Sequence, residues 1–207
     1  MIEEFFTIEH AEAMANLAKK LEKEVAYGPQ GHKFVAIVAD GVPVAEGVRF
    51  IFKDKGISRI NEIFNYLVAS SRQEFVDVYQ IDKLKAESGK RIYIDWRAKT
   101  GKLGEMLRVN DPGCMYAVLS DPDGKADISA TKADVPKIRF PDNYDEIMDL
   151  IGIKVDMEKL RSGKESSYLF NFGPKSEAFY NQLYKLIDKV IVEKYGFVNR
   201  VRFDKDG

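Results

Sequence analysis

The stretch that most constrains how this chain can fold is Lys90–Asn110, KRIYIDWRAKTGKLGEMLRVN. Side chains of a strand point alternately to its two faces, so strict apolar/polar alternation predicts a half-buried strand. Ile92, Ile94, Trp96 and Ala98 fall on one side, and Arg91, Tyr93, Asp95, Arg97 and Lys99 on the other. Lys99-Thr100-Gly101-Lys102 offers a tight connection, with Gly101 free to take positive φ. Leu103–Val109 then reads as the return strand, with a bulge near Gly104 because its alternation is less clean. The expectation is a β-ribbon, apolar on one face and basic on the other.

Charge gathers on the same stretch. Between Lys83 and Arg108 there are eight basic residues and three acids, a net of +5, while the whole chain is at −1 and the remainder therefore at −6. Such asymmetry bears on partners rather than on fold. Aromatics among Arg and Lys suit bases stacked beside phosphates. On this reading Arg91, Tyr93, Arg97, Lys99, Lys102 and Arg108 form a nucleic-acid-binding face, for single strands or another acidic partner. The bland alternative is a solvated strand face whose charges guard a sheet edge.

At 207 residues, 45% apolar and 31% charged, the chain has the composition of a soluble globular domain. No apolar run approaches the roughly 18 residues a membrane span needs. The N-terminus, MIEEFFTIEH, is acidic where a signal peptide would be basic. A single cysteine, Cys114, excludes an internal disulfide and a cysteine-built zinc site. A cytoplasmic location is the expectation.

Thr7–Tyr27 reads as an amphipathic helix with Ile8, Ala11, Met14, Leu17, Leu21 and Val25 inward. Lys33–Lys53 reads as a hairpin: an apolar strand Phe34–Ala39, a turn at Asp40-Gly41, and a partner with Val48, Phe50 and Phe52 on one face. A helix over Ser58–Ser70 and a strand over Phe75–Gln80 follow. Beyond the ribbon, Asp111-Pro112-Gly113 is a turn, Cys114–Leu119 a strand, Ser120–Gly124 a turn, and Lys125–Thr131 a closing strand. After Pro141 the spacing predicts a helix over Asp142–Ile151, a strand over Ser166–Phe172, and a long helix from Pro174 to Tyr195. Phe179, Leu183, Leu186, Ile187, Val190 and Ile191 make that helix's apolar stripe. Tyr180 and Tyr184 form a second row, which is expected to stay partly exposed or to meet a second chain in a homo-oligomer. The whole is predicted to be one α+β domain over 1–207: a mainly antiparallel meander of hairpins, with 141–207 a mostly helical part packed on or beside the sheet.

Site chemistry is sparse. His10 reads as a surface residue of the first helix and His32 as a turn residue, with a lone general base at His32 the sharper alternative. Ser88-Gly89-Lys90-Arg91 lacks the glycine and hydroxyl of a phosphate loop. Gly28-Pro29-Gln30-Gly31 stands between helix and strand, whereas a phosphate cradle needs strand then helix. Asp121-Pro122-Asp123-Gly124 lacks the spacing of a calcium loop. No catalytic residue, metal or cofactor is therefore assigned. Asp77 in one strand and Asp95-Trp96-Arg97 in a later one resemble the acid arrangement of metal-dependent nucleases of the PD-(D/E)xK type, with Glu62 a third acid. That resemblance implies Mg²⁺-dependent cleavage, but Arg97 stands where the family has lysine, and arginine does not deprotonate near neutral pH. Asp95 is more simply a salt-bridge partner for Arg91 or Arg97. The leading expectation is a non-enzymatic binding protein. The alternatives are such a nuclease, or an assembly factor acting through its C-terminal helix.

Overall fold

The computed structural model describes residues 4–26, 32–54, 69–70, 89–155, 168–170 and 172–195. In chain order these form α1 (Ile8–Ala26), β1 (His32–Val38), α2 (Gly41–Asp54), β2 (Ala69–Ser70), β3 (Lys90–Arg97) and α3 (Lys102–Asn110). There follow β4 (Met115–Ser120), β5 (Ile128–Thr131), α4 (Tyr144–Leu150), β6 (Ile153–Val155), β7 (Tyr168–Phe170) and α5 (Pro174–Tyr195). The helix over Ser58–Ser70 and the strand over Phe75–Gln80 lie largely or wholly outside the described residues.

Helices and strands are mixed as expected, but the antiparallel meander is overturned. The main sheet has the order β2-β1-β3-β4-β5, and every pairing in it is parallel. Val35 stands beside Tyr93 and Tyr93 beside Tyr116. The only antiparallel pair among the described residues is the small β6–β7 ribbon.

Two expected hairpins fail for the same reason. Asp40-Gly41 is not a turn between strands, because the chain enters α2 there. Val42, Ala45, Val48 and Phe52 recur at helical spacing and are buried, a longer pattern than the three alternating positions 48, 50 and 52. Pro43 falls in the first turn of α2, where a missing N–H costs no helical bond. The return strand of the basic ribbon is likewise a helix, α3. Leu107 faces inward one turn from half-buried Leu103, and Val109 is 78% exposed. The irregular alternation of that stretch was a helical period, not a bulge.

Each interior strand is buried on both faces, as parallel strands usually are. Phe34, Ala36, Ile92, Ile94 and Trp96 pack with α1, α2 and α5 on one side. Val35, Ile37, Tyr93, Tyr116 and Val118 pack with Leu107 of α3 on the other. Asp121 organises the connector from β4 to β5 by accepting from Lys125 N and Ala126 N, at 2.8 and 2.9 Å. The turn is real, yet it returns the chain to run parallel.

In the C-terminal part, Phe179, Leu183 and Ile187 of α5 are wholly buried, as their spacing predicts. The tyrosine row is corrected at Tyr180, while Tyr184 is partly exposed as expected. Tyr180 is 2% exposed and donates to Ile151 O at 2.9 Å. Tyr184 is half-buried, stacks on Phe50 and donates to Glu46 Oε2 at 3.1 Å. Both are engaged by their own chain. Among the described residues no helix is long and apolar enough to cross a membrane.

Candidate functional site at the carboxyl edge of the parallel sheet

The six residues assigned to a nucleic-acid face do not share one. Arg91, at the start of β3, grips Asp111 at the end of α3 through Nε and Nη2, at 2.6 and 2.7 Å. Tyr93 is fully buried and donates to the same carboxylate at 2.9 Å, so its ring has no surface on which to stack a base. Arg97 pairs with Asp134 at 2.9 Å and Arg108 with Asp127 at 3.0 Å. Of the six, only Lys99 and Lys102, beyond the carboxyl end of β3, are exposed. The physical cause is the position of β3, which has neighbours on both edges and helices over both faces. Of the nuclease acids, Asp77 and Glu62 lie outside the described residues.

The parallel topology creates a different locus. From β1 the chain leaves through α2 on one face, and β2 pairs on the outer side of β1. From β3 it leaves through α3 on the other face, and β4 pairs on the opposite side. The two exits diverge between β1 and β3. In open parallel sheets ligands sit in the crevice beyond the carboxyl ends at such a switch point. Here that edge carries Asp40 and Gly41 after β1, and Asp95 and Lys99–Lys102 at and beyond the end of β3.

Both helices begin at this edge, and each begins at a glycine. Gly41 opens α2 hard against β3: a Cβ there would come 2.2 Å from Ile94 O. Gly101 precedes α3 with φ 75°, in the left-handed region. Gly101 has no side chain with which to cap α3; Thr100 Oγ1 accepts from Lys102 N at 3.4 Å, and the first helical bond is Glu105 N to Gly101 O at 3.0 Å. The next two amides, of Leu103 and Gly104, belong to the first turn that a helix cannot satisfy internally, and they stand at this edge with Lys99 and Lys102.

Two carboxyls complete the edge. Asp95 accepts from Trp96 N at 2.7 Å through Oδ1 and from Tyr116 OH at 2.9 Å through Oδ2. It makes no ion pair with Arg91 or Arg97, contrary to expectation. Burial pushes its carboxyl up to about 6, against the pull of those two bonds; the charge of Asp40 adds to the rise and that of Lys99 opposes it. Burial also raises Asp40, with Lys137 and Lys99 opposing. A carboxyl poised near neutrality can pass a proton to or from a bound hydroxyl. Among the described residues no group of three or more His, Cys, Asp or Glu could hold a metal ion.

Asp40 and Gly41 were overlooked because they read as a hairpin turn, and Lys137 because it stands in no regular element. The signal that could have found the first two is an apolar run ending in Asp-Gly, followed at once by a helical period with proline in its first turn. No protein-family model matches the chain, and no curated protein matches it.

Proposed function

We propose that the protein binds a small molecule carrying both phosphate and hydroxyl groups, a nucleotide or sugar phosphate, at the crevice between the carboxyl ends of β1 and β3. The observation that carries this reading is the N-terminus of α3, opened by Gly101 in the left-handed region and flanked by exposed Lys99 and Lys102 at the switch point. A helix N-terminus offers amide donors and positive potential to an anion. Lysine adds a mobile charge suited to phosphate. Asp40 and Asp95 then serve as acceptors for hydroxyls, as acidic residues at this place in parallel sheets do for ribose. The general expectation of an anionic partner is kept, and its address moves from a strand face to a sheet edge.

Thermal unfolding with a panel of nucleoside phosphates and sugar phosphates tests the reading. A ligand present at a hundredfold its Kd stabilises the fold by about 2.7 kcal/mol. Lys99 and Lys102 changed together to Ala should weaken binding by roughly tenfold, equivalent to about 1.4 kcal/mol. Stabilisation by no phosphate compound at about 100-fold the Kd of a physiological binder would refute the site. Binding only of oligonucleotides, with a steep salt dependence, would instead return the function to nucleic acid.

A further inference from the structure

Arginine binds carboxylates and phosphates best side-on, with Nε–H and one Nη–H donating in parallel to two oxygens. Arg91 holds Asp111 this way, through Nε and Nη2 at 2.6 and 2.7 Å. Arg49 holds Glu46 likewise, through Nε and Nη2 at 3.1 and 2.8 Å. Arg97 is different. Its Nη2 meets Asp134 Oδ1 at 2.9 Å, but its Nε is buried and has no acceptor. Only half of that fork is used.

Buried polar side chains are rarely left so. His10, expected on the surface of α1, is instead 1% exposed, and both its ring nitrogens are engaged, with Thr7 N and Pro136 O. Among the described residues, the buried side-chain nitrogens without a partner are His32 Nδ1, Trp96 Nε1 and Arg97 Nε. His32 begins β1, whereas Trp96 and Arg97 end β3, at the carboxyl edge. Of these groups only the guanidinium is permanently charged, so the partner it lacks is an anion. By the alternation that places Tyr93, Arg97 turns toward the face covered by α3, and Lys99, Gly101 and Lys102 follow it directly.

The acids also differ. Asp111 and Glu46, which complete their arginine forks, are each 1% exposed, whereas Asp134 is 70% exposed. Register sets Arg97 beside Ser120, whose Oγ donates to Ala133 O at 2.9 Å and so holds the backbone next to Asp134 while its side chain stands in solvent. An ion pair with so exposed a partner contributes little and is given up at little cost. We propose that Arg97 is a phosphate-binding residue of the carboxyl edge, and that Asp134 is the internal acid a phosphate displaces from it. This role rests on the phosphate reading above and adds a residue to it. A phosphate presents two oxygens to Nε and Nη2 together, as Asp111 does to Arg91, and leaves its others for the lysines and amides at the start of α3. Asp134 has only to turn its side chain outward; Ala133 keeps its bond to Ser120.

The Arg97 Nε–H resonance, assigned through its own side-chain carbons in the isotopically labelled full chain, reads the event directly. Titration with inorganic phosphate, and with a panel of nucleoside and sugar phosphates, should move it downfield as the N–H gains an acceptor. Arg97→Lys, which keeps the charge and loses the fork, should weaken phosphate binding by roughly tenfold. Asp134→Ala should do the opposite and tighten it by up to about fivefold, because the internal competitor is gone. A purely structural ion pair would lose from both substitutions. An Arg97 resonance that stays in place while a phosphate compound binds, or Asp134→Ala binding no more tightly than the wild type, would overturn the role and leave the site at Lys99 and Lys102 standing. A resonance that moves with inorganic phosphate, in a protein that no nucleoside or sugar phosphate stabilises, would keep Arg97 and remove that ligand class. Should no phosphate compound bind, both readings fall.

Discussion

Asp95→Asn should make the protein more stable at neutral pH. The Asp95 carboxyl is raised from 3.8 to about 6, chiefly by burial. At 1.36 kcal/mol for each pKa unit, the ionised carboxylate costs the fold about 3 kcal/mol at most. Asparagine keeps a carbonyl for Trp96 N. It offers Tyr116 a donor in place of an acceptor, so the tyrosine proton loses its partner at a cost of about 1 kcal/mol. The net gain should be about 1–2 kcal/mol. Its pH dependence follows from the direction of the shift. Above about pH 7 both states are ionised and the folded one bears the burial cost; as pH falls through about 6 the folded carboxyl takes up a proton while the unfolded one stays ionised. This group therefore adds stability to the wild type between about pH 7 and about pH 4, and the advantage of the variant disappears over the same window. Urea unfolding of both proteins at about pH 7.5 and about pH 5 reads the difference directly. Loss of stability in the variant at the higher pH, or an equal gain at both, would show that the carboxylate is adequately solvated and would refute the argument.

Two further substitutions test the frame around the edge. Gly41→Ala places a methyl against the Ile94 carbonyl, which is backbone and cannot step aside, so α2 must shift; chemical denaturation should show a loss of about 1–3 kcal/mol or more. Asp111→Ala takes the acceptor from Arg91 Nε and Nη2 and from the Tyr93 hydroxyl together, leaving Arg91 Nη1 on Gly89 O, and should cost about 3–5 kcal/mol in the same assay, whereas a loss below about 1 kcal/mol would mean that water replaces the carboxylate.

Where one face of an element meets the core, its period was legible. The stripes Ala11-Met14-Leu17-Leu21 and Phe179-Leu183-Ile187 are buried as their spacing predicts, and α4, β7 and α5 fall within the expected segments. Strand direction was not legible. Apolar alternation says which side chains are inward and nothing about whether the neighbouring strand runs with or against them. Turn chemistry did not settle it either. Asp121–Gly124 makes the local bonds of a hairpin turn, with Gly124 at φ 67°, and still delivers β5 parallel to β4. In β1 and β3 the misreading was compounded, since a helix beginning directly after a strand shows the same Asp-Gly or Thr-Gly punctuation as a two-residue hairpin.

That single ambiguity also hid the candidate site. The requirement that a phosphate cradle follow a strand and precede a helix was applied to Gly28–Gly31 while Gly41 and Gly101 stood as hairpin turns. With α2 and α3 in place, both glycines satisfy it. Asp95 marks the place from the other direction. In an alternating strand a polar residue is presumed to face water, and a surface arginine is presumed to neutralise it. In the structure Arg91 and Arg97 are committed to Asp111 and Asp134, and Asp95 keeps only two neutral donors. A buried carboxyl with so little compensation works against stability, and natural chains concentrate such local disagreements where function requires them. The burial-penalised Asp95 carboxyl therefore ends the strand that leads into the N-terminus of α3, and a ligand with hydroxyls for the one and phosphate for the other would relieve both.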